Sequence, residues 1–422
     1  MLCLQSTTFE GELVKKRRLF SLAIAIATST AFNVVYSEDW PMWRGPRGDG
    51  ISLESKAPMK WSATENVRWK TKIAGVGRSS PIVVGDSVFV TAFDTTSQSR
   101  QLFRVDRESG KVVWTTTIHT GPSENQHKFN TSASATPASD GKLVFTVFVD
   151  DKQLVVAATD WKGEVVWKKF LGTYFSRHGF AASPVLCDEG LIINGHQDGD
   201  AFVSLLNPTT GEEVWRYKPE TNLRSFSTPL VGMVDGQRQI VLAGANQTLG
   251  LDPKTGGRIW FVAGPSEKVV CSPSIGLGHI FSFGGSPEVR ACAIKQDGLK
   301  NESEQNIAWK MEKGMPYVPT PVLYGERFHI VDDLGIYTCL DPITGKVLKA
   351  LRKSGNTYSS PIGVAERVYL FDDSGTCTII ANNNKYEVLA KNSLDEVVQT
   401  TPAFSGGSMY IRSDDHLWRI EE

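Results

Sequence analysis

The 422-residue sequence predicts an all-β fold, an eight-bladed β-propeller built from four-stranded blades. Three observations lead to this prediction. A Ser/Thr-Pro pair recurs eight times, a glycine turn followed by a short apolar strand recurs in step with it, and no long segment has the 3.6-residue helical period. Repeats of 40 to 56 residues that each hold about four short strands are typical of propeller blades.

The first marker is the Ser/Thr-Pro pair, which apolar residues follow in every repeat. Proline favours an extended backbone in the residue before it. We therefore expect each hydroxyl to bond the backbone of a neighbouring blade near the central channel. Eight copies favour an architectural role over a single binding site. The anchor prolines are Pro81, Pro137, Pro184, Pro229, Pro273, Pro321, Pro361 and Pro402.

The second marker is a strand that follows a glycine turn and usually ends in tryptophan, as in GKVVW at Gly110–Trp114. Several copies follow a D/N-x-x-T/S-G turn, in which Asp or Asn caps the turn and Gly takes positive φ. We expect each indole ring to pack between adjacent blades. The tryptophans of this series are Trp69, Trp114, Trp167, Trp215, Trp260 and Trp309, and weaker copies contain Leu348 and Leu389.

The two ends of the repeat array predict that the ring is closed. The segment 66–73 contains Trp69 but lacks preceding strands of its own blade, and the repeat from Pro402 to Glu422 has room for three strands. The N-terminal strand should therefore complete the C-terminal blade, which hides the sheet edges. We predict an extension at 38–65 and one propeller at 66–422. Seven blades with one degenerate repeat are the alternative.

The N-terminus predicts export from the cytoplasm. A basic cluster at 15–18 precedes an apolar run at 19–32, and Val35 and Ser37 are permissive for cleavage after residue 37. Residues 1–37 are therefore predicted to be a secretory signal peptide, with a start near Val14 as an alternative. The mature chain is then periplasmic or secreted. No other apolar stretch approaches 18 residues, so we expect no transmembrane segment there.

Composition excludes some function classes. The chain has 45 Lys and Arg against 46 Asp and Glu, and this balance argues against nucleic-acid binding. The six cysteines are widely spaced and form no C-x-x-C pair, so they are expected to be small buried apolar residues. No histidine spacing typical of a metal site is present, and none is predicted.

The repeat resembles a known family. The Trp marker and its D-x-x-T-G turn are similar to the tryptophan-docking repeat of pyrroloquinoline-quinone (PQQ)-type propellers, which include quinoprotein alcohol dehydrogenases and the assembly protein BamB. Three stretches are similar to secreted PQQ-like repeat proteins of planctomycete-type bacteria. They are DWPMWRGP at 39–46, TSASATPASDGK at 131–142 and HGFAASPVL at 178–186.

This resemblance implies an envelope binding or scaffold protein, or else a dehydrogenase that uses PQQ with calcium. Such dehydrogenases typically carry adjacent cysteines against the quinone, and this sequence has no adjacent pair. The Glu, Asn and Asp that hold calcium in those enzymes have no matching positions. The resemblance therefore assigns no catalytic residue.

Loop length indicates where a ligand would bind. The Trp or Leu of the outer strand is followed by the next anchor proline after 12 to 14 residues in six repeats. This distance is 23 residues after Trp114 and 17 residues after Trp167. Lengthened loops on one sector often carry binding sites. The long connections hold His119, Tyr174 and the candidate ligand-binding residues His127, Asn130, Arg177 and His178. Other connections add Arg78, Arg224, Tyr317 and Tyr358.

Two interpretations of these residues remain open at this point. They form a polar pocket at the mouth of the channel, or they cap strand ends and pack loops. The favoured function is a monomeric, exported binding module for a protein, peptide or saccharide. The alternatives are a small PQQ-dependent alcohol or sugar dehydrogenase, and a hydrolase or lyase that uses the histidine-bearing loops.

Overall fold

Short strands, many of them joined by glycine turns, account for nearly all regular secondary structure in the described part of the chain, and they are grouped into eight sheets. The structure is a computed structural model that describes residues 38–288, 290–299, 304–352 and 355–422. The predicted signal peptide at 1–37, with Cys3, lies outside the described residues. One three-residue 3₁₀ helix, Glu304–Asn306, is present, and no described helix is long and apolar enough to cross a membrane.

Each blade has four antiparallel strands, and the sheet of blade 7 also includes the short parallel strand Ile51–Ser52. First strands of neighbouring blades pack together around the central channel. The predicted fold is therefore confirmed. Blades 1 to 4 consist of Ile82–Val84, Ser87–Asp94, Ser99–Asp106 and Val112–Thr120; Ala138–Ser139, Leu143–Asp150, Gln153–Asp160 and Val165–Thr173; Val185–Cys187, Gly190–Gly195, Phe202–Leu206 and Glu213–Tyr217; and Leu230–Val234, Gln237–Gly244, Gln247–Leu251 and Arg258–Ala263.

Blades 5 to 8 continue the same pattern. They consist of Ser274–Gly276, His279–Gly284, Arg290–Lys295 and Ile307–Met311; Val322–Tyr324, Arg327–Val331, Ile336–Leu340 and Val347–Arg352; Ile362–Val364, Arg367–Phe371, Thr376–Ala381 and Val388–Ser393; and Ala403–Ser405, Ser408–Arg412, His416–Ile420 and Val67–Lys72.

The ring closes as the sequence predicts. The N-terminal strand Val67–Lys72 pairs with His416–Ile420, with Trp69 opposite Arg419, and so becomes the outer strand of blade 8. The first strands of blades 8 and 1 are packed together. The seven-blade alternative is therefore wrong, because all eight anchor prolines begin a complete sheet.

The hydroxyls before the anchor prolines link the blades around the channel. The backbone N–H of each donates to the side-chain oxygen of its counterpart in the next blade at 2.9–3.0 Å, at seven of the eight junctions. We call these residues the hydroxyl ring. Its members are Ser80, Thr136, Ser183, Thr228, Ser272, Thr320, Ser360 and Thr401.

The outer-strand tryptophans join neighbouring blades. Trp69 in blade 8, for example, donates its indole N–H to the carbonyl of Arg107 in blade 1 at 2.9 Å. Gly110 closes that turn at φ +71°, and a Cβ there would lie 2.6 Å from the Trp69 ring. Trp114, Trp167, Trp215 and Trp309 make the same interblade bond at 2.8–3.0 Å.

Trp260 departs from this pattern. It is fully buried and packs against Cys292 and Ile294 of blade 5, but its N–H donates at 2.7 Å to the Gln239 side chain in its own blade. The corresponding part of blade 5 is the longer segment after Lys295, which contains no D-x-x-T-G turn. The interblade position predicted for this ring therefore holds, but its hydrogen-bond partner differs.

Residues 38–52, here called the N-terminal plug, cross one end of the channel. Trp40 pairs with Val83 of blade 1, and Ile51–Ser52 pairs in parallel with the first strand of blade 7. The indole N–H of Trp43 donates to Ser272 Oγ at 3.3 Å, at the junction where the described residues show no ring bond. The plug thus contacts blades 1, 5 and 7, which lie at different positions around the propeller.

Arg44 fastens the plug to blades 6 and 7. Its guanidinium is fully buried and donates to the carbonyls of Asp49, Thr320, Pro321 and Pro361 at 2.8–3.3 Å. Burial lowers the pKa of Arg44 to about 10. The side chain therefore remains charged at neutral pH.

The cysteines give a first test of the packing. None of the five described cysteines forms a disulfide, and all except Cys187 are buried. Burial raises the pKa of Cys187 and Cys339 to about 11 and that of Cys292 to about 12. Because the thiolate is the reactive form, we expect a disulfide reagent at pH 7.5 to label less than one thiol per native chain and five after unfolding of residues 38–422. Rapid labelling of Cys292 would contradict the closed interface between blades 4 and 5.

Candidate functional site

The channel forms a pocket of about 600 Å³ between the plug and the connections that lead into the anchors. Trp43 lies between this pocket and a cavity of about 70 Å³ on the plug side. Seven members of the hydroxyl ring line the pocket, and the eighth, Ser272, is bonded to Trp43. The plug therefore makes the channel a blind pocket that opens on the connection side.

Six of the eight candidate ligand-binding residues line this pocket. The structure brings together Arg78, His127, Asn130, His178, Tyr317 and Tyr358.

The other candidates lie elsewhere. Arg177 is exposed and is not on the pocket wall. Arg224 stands behind the wall, where it pairs with Asp198 at 3.0 Å and Glu267 at 3.7 Å. His119 pairs with Asp150 outside the pocket, and Tyr174 is buried against Phe180 with ring centroids 5.3 Å apart.

The two lengthened connections are bonded to each other. The backbone N–H of His127 donates to the His178 carbonyl at 3.3 Å, and the Asn130 side-chain amide donates to the same carbonyl at 2.7 Å. A Cβ at Gly179 would lie 2.7 Å from that amide nitrogen, so this close approach requires glycine. Asn130 therefore holds the two loops together, and its amide is already engaged.

His127 and His178 form a pair on the pocket wall, with their rings edge to face and centroids 6.1 Å apart. Burial lowers the pKa of His178, and the positive charges of Lys268 and Arg224 lower it further. His178 is therefore neutral at neutral pH, so that its ring can both donate and accept a hydrogen bond.

Aromatic rings meet across the mouth. Phe129, in the connection between blades 1 and 2, packs against Tyr358, in the connection between blades 6 and 7, with centroids 5.3 Å apart. Phe226 packs edge to face on His178 at 6.0 Å. The connection between blades 1 and 2, the longer of the two extended loops, thus reaches across the mouth of the channel and narrows the entrance to the pocket.

Sequence reasoning missed several wall residues, namely Trp43, Phe129, Phe226, Lys268 and Asp333. Asp333 accepts the backbone N–H of Tyr317 at 2.6 Å and that of Val318 at 3.2 Å. Burial raises the pKa of this carboxyl group. The ammonium group of Lys268 has no ion pair or hydrogen bond with any described residue.

The pocket does not suit a quinone held with calcium. Calcium takes six to eight oxygen ligands, and the described wall offers one carboxylate, Asp333, whose two oxygens each accept a backbone N–H. Among the described residues, no three His, Cys, Asp or Glu side chains cluster closely enough to hold a metal ion. No described cysteines are bonded into a disulfide that could pack against a quinone.

Eight four-stranded blades joined by docked tryptophans around a blind channel define a PQQ-like β-propeller protein. A family model described as outer membrane protein assembly factor BamB matches residues 55–116 and 98–351. The chain belongs to this family.

Solved structures agree with the fold. BamB from Moraxella catarrhalis is 12% identical with a TM-score of 0.59, and the match covers 84% of this chain and 99% of that one. Quinohemoprotein alcohol dehydrogenase from Comamonas testosteroni is 11% identical with a TM-score of 0.66, with 90% and 80% covered. The quinohemoprotein alcohol dehydrogenase ADHIIG from Pseudomonas putida HK5 is 10% identical with a TM-score of 0.59 and the same coverage. No curated protein sequence matches the chain significantly.

Proposed function

We propose that this protein is an exported binding module of the cell envelope that holds its ligand in the blind pocket of the propeller. The observation that carries the proposal is the pocket itself. Its volume of about 600 Å³ lies within the range of small-molecule sites, and polar and aromatic side chains from several blades converge on it. The plug leaves one direction of approach, from the connection side.

Location in the periplasm or outside the cell is part of the proposal. The predicted signal peptide at 1–37 supports export, and membership of the BamB family supports an envelope setting. The family model is described as an assembly factor for outer membrane proteins, so binding of a protein partner is a further role for the outer surface. A saccharide or other small molecule suits the enclosed pocket better, because folded proteins cannot enter it.

The dehydrogenase alternative has less support. The fold resembles quinohemoprotein alcohol dehydrogenases over 90% of the chain, and this likeness extends to the fold alone. Asp333 is the one carboxylate among the described wall residues, and both of its oxygens already accept backbone N–H groups.

Replacing His178 provides a test of the binding proposal. Purified residues 38–422 are screened for thermal stabilisation by a library of sugars, organic acids and short peptides, because a ligand that binds only the folded state stabilises it. For any compound that binds, His178→Ala is expected to weaken affinity about tenfold, because a ring on the wall is lost. Isothermal titration calorimetry measures the change.

The matched control is His279→Ala. This half-buried histidine contacts the Leu277 carbonyl in blade 5, away from the pocket wall. Its replacement is expected to leave affinity unchanged. Equal losses in both variants, or no stabilisation by any compound, would reject the pocket as the ligand site.

A further inference from the structure

We propose that the ligand is a cyclic compound that bears a carboxylate. The carboxylate binds at the hydroxyl ring, and the cyclic part of the ligand lies among the aromatic side chains near the mouth of the pocket. This inference rests on the proposed function and deepens it. Three observations support it, namely the direction of the hydroxyl bonds, the balance of charges around the pocket and the aromatic contacts.

The hydroxyl ring is rich in donors. Each side-chain oxygen already accepts an N–H, from the preceding blade in seven cases and from Trp43 in the case of Ser272. A hydroxyl also carries one proton to donate. Among the described residues, no acceptor for these protons is found. Seven of the hydroxyls line the pocket, so their protons are available to a ligand that accepts hydrogen bonds.

The charge balance favours an anion. Arg44 lies against the anchors of blades 6 and 7, at the plug side of the hydroxyl ring, and forms no ion pair with a described carboxylate. Lys268 lines the pocket and has no ion pair with a described residue, whereas Arg44 is not itself a wall residue. A buried cation that lacks a counter-ion stabilises a nearby negative charge strongly in a poorly solvated site.

The carboxylates that could oppose this charge are already engaged. Asp333 faces the pocket with both oxygens bonded to backbone N–H groups. Asp414 pairs with Arg78 at 2.5 Å, and Asp198 pairs with Arg224. Asp333 keeps its negative charge on the wall, so the features that favour an anion are the unpaired Lys268 and the hydroxyl protons that have no acceptor among the described residues.

The aromatic contacts indicate the rest of the ligand. Phe129, Tyr358, Tyr317 and Phe226 line the pocket, and Trp43 lies at its closed end. Flat apolar faces of this kind stack on sugar or aromatic rings. A ligand that joins a carboxylate to a cyclic group would contact the hydroxyl ring and the aromatic side chains at the same time. Sugar acids and aromatic acids both have this structure.

Paired probes test the inference by calorimetry on residues 38–422. Glucuronate is compared with methyl glucoside, and benzoate with benzamide, so that each pair isolates the carboxylate. We expect at least one acid to bind about tenfold or more tightly than its neutral partner, and its affinity to fall as salt is raised. The two pairs also distinguish a sugar acid from an aromatic acid.

Variants of the repeat itself provide the matched control. Ser and Thr both occur at this position, so Ser183→Thr keeps the hydroxyl and Ser183→Ala removes it. We expect about tenfold weaker acid binding for Ser183→Ala and near-native binding for Ser183→Thr. Lys268→Met should weaken binding similarly, whereas Lys310→Met, on the exposed outer strand of blade 5, should not. If Ser183→Ala does not fold, the comparison of Lys268→Met with Lys310→Met still tests the inference.

The outcomes separate the two proposals. If a neutral probe binds as tightly as its acid, the inference is wrong and the pocket still binds a ligand. If none of the four probes binds while another compound of the library does, the inference is again wrong and the binding function stands. If no compound binds at all, both proposals are rejected.

Discussion

Replacing Arg44 with methionine is expected to lower the free energy of unfolding by about 3 kcal/mol. The side chain is fully buried, and its two terminal nitrogens donate to four backbone carbonyls from the plug and from blades 6 and 7. Methionine retains much of the volume but leaves those carbonyls without a donor. Relief from burying the charge offsets part of this loss. Urea unfolding followed by tryptophan fluorescence measures the change.

Arg47→Met is the control in the same segment. Arg47 pairs with Glu38 at 2.5 Å and Asp49 at 3.2 Å, but its side chain is 37% exposed. Solvent screens such a pair, so the expected loss is below about 1 kcal/mol. Equal losses in the two variants would show that the buried contacts of Arg44 are not what holds the plug.

Release of the plug has a consequence for binding. Trp43 and Arg44 are adjacent, so loss of the Arg44 bonds is expected to expose residues 38–52 to proteases and to open the channel at its closed end. A ligand of the native pocket should then bind Arg44→Met more weakly than Arg47→Met. This comparison connects the stability of the plug to the proposed function.

Much of the fold is predictable because the repeat marks its own geometry. Each anchor proline begins a blade, and the strand that contains Trp69 has no other sheet to join, so ring closure follows from the sequence. The partner of Trp260 was not predictable in this way. Its hydrogen bond depends on the turn that the neighbouring blade presents, and that turn lacks the capping pattern found beside the other tryptophans.

The pocket wall was predictable in part, from loop length and from the positions just before an anchor proline, where Arg78, Tyr317 and Tyr358 lie. His127 and His178 stand in the two long connections, whereas Lys268 and Asp333 belong to blades of ordinary length. The plug carries no periodic pattern that shows where it lies. Its apolar and basic residues DWPMWR indicate burial at most. Which residues face the pocket is determined by contacts between distant blades, and a single sequence does not reveal these contacts.

Acid is expected to destabilise the native protein strongly, because two histidines are buried in their neutral form. Burial lowers the pKa of His196 and of His329 to about 4, against an ordinary value of 6.5. The His329 ring lies between the Tyr337 hydroxyl at 2.7 Å and the Asn382 amide oxygen at 3.1 Å. Below pH 6.5 the unfolded chain binds protons that the native chain does not.

The sign and size of the effect follow from this difference in proton uptake. The contribution of the two neutral histidines to the free energy of unfolding is fully present above about pH 6.5. It is lost as the pH falls towards 4, by up to about 3 kcal/mol for each histidine. Unfolding midpoints in urea at several pH values measure the slope. His329→Gln should reduce the slope between pH 6.5 and 4 by about half of the histidine contribution. His279→Gln, which replaces a partly solvated ring, should not change it. If the His329→Gln slope matched that of the native protein, His329 would not be the group whose protonation is coupled to unfolding.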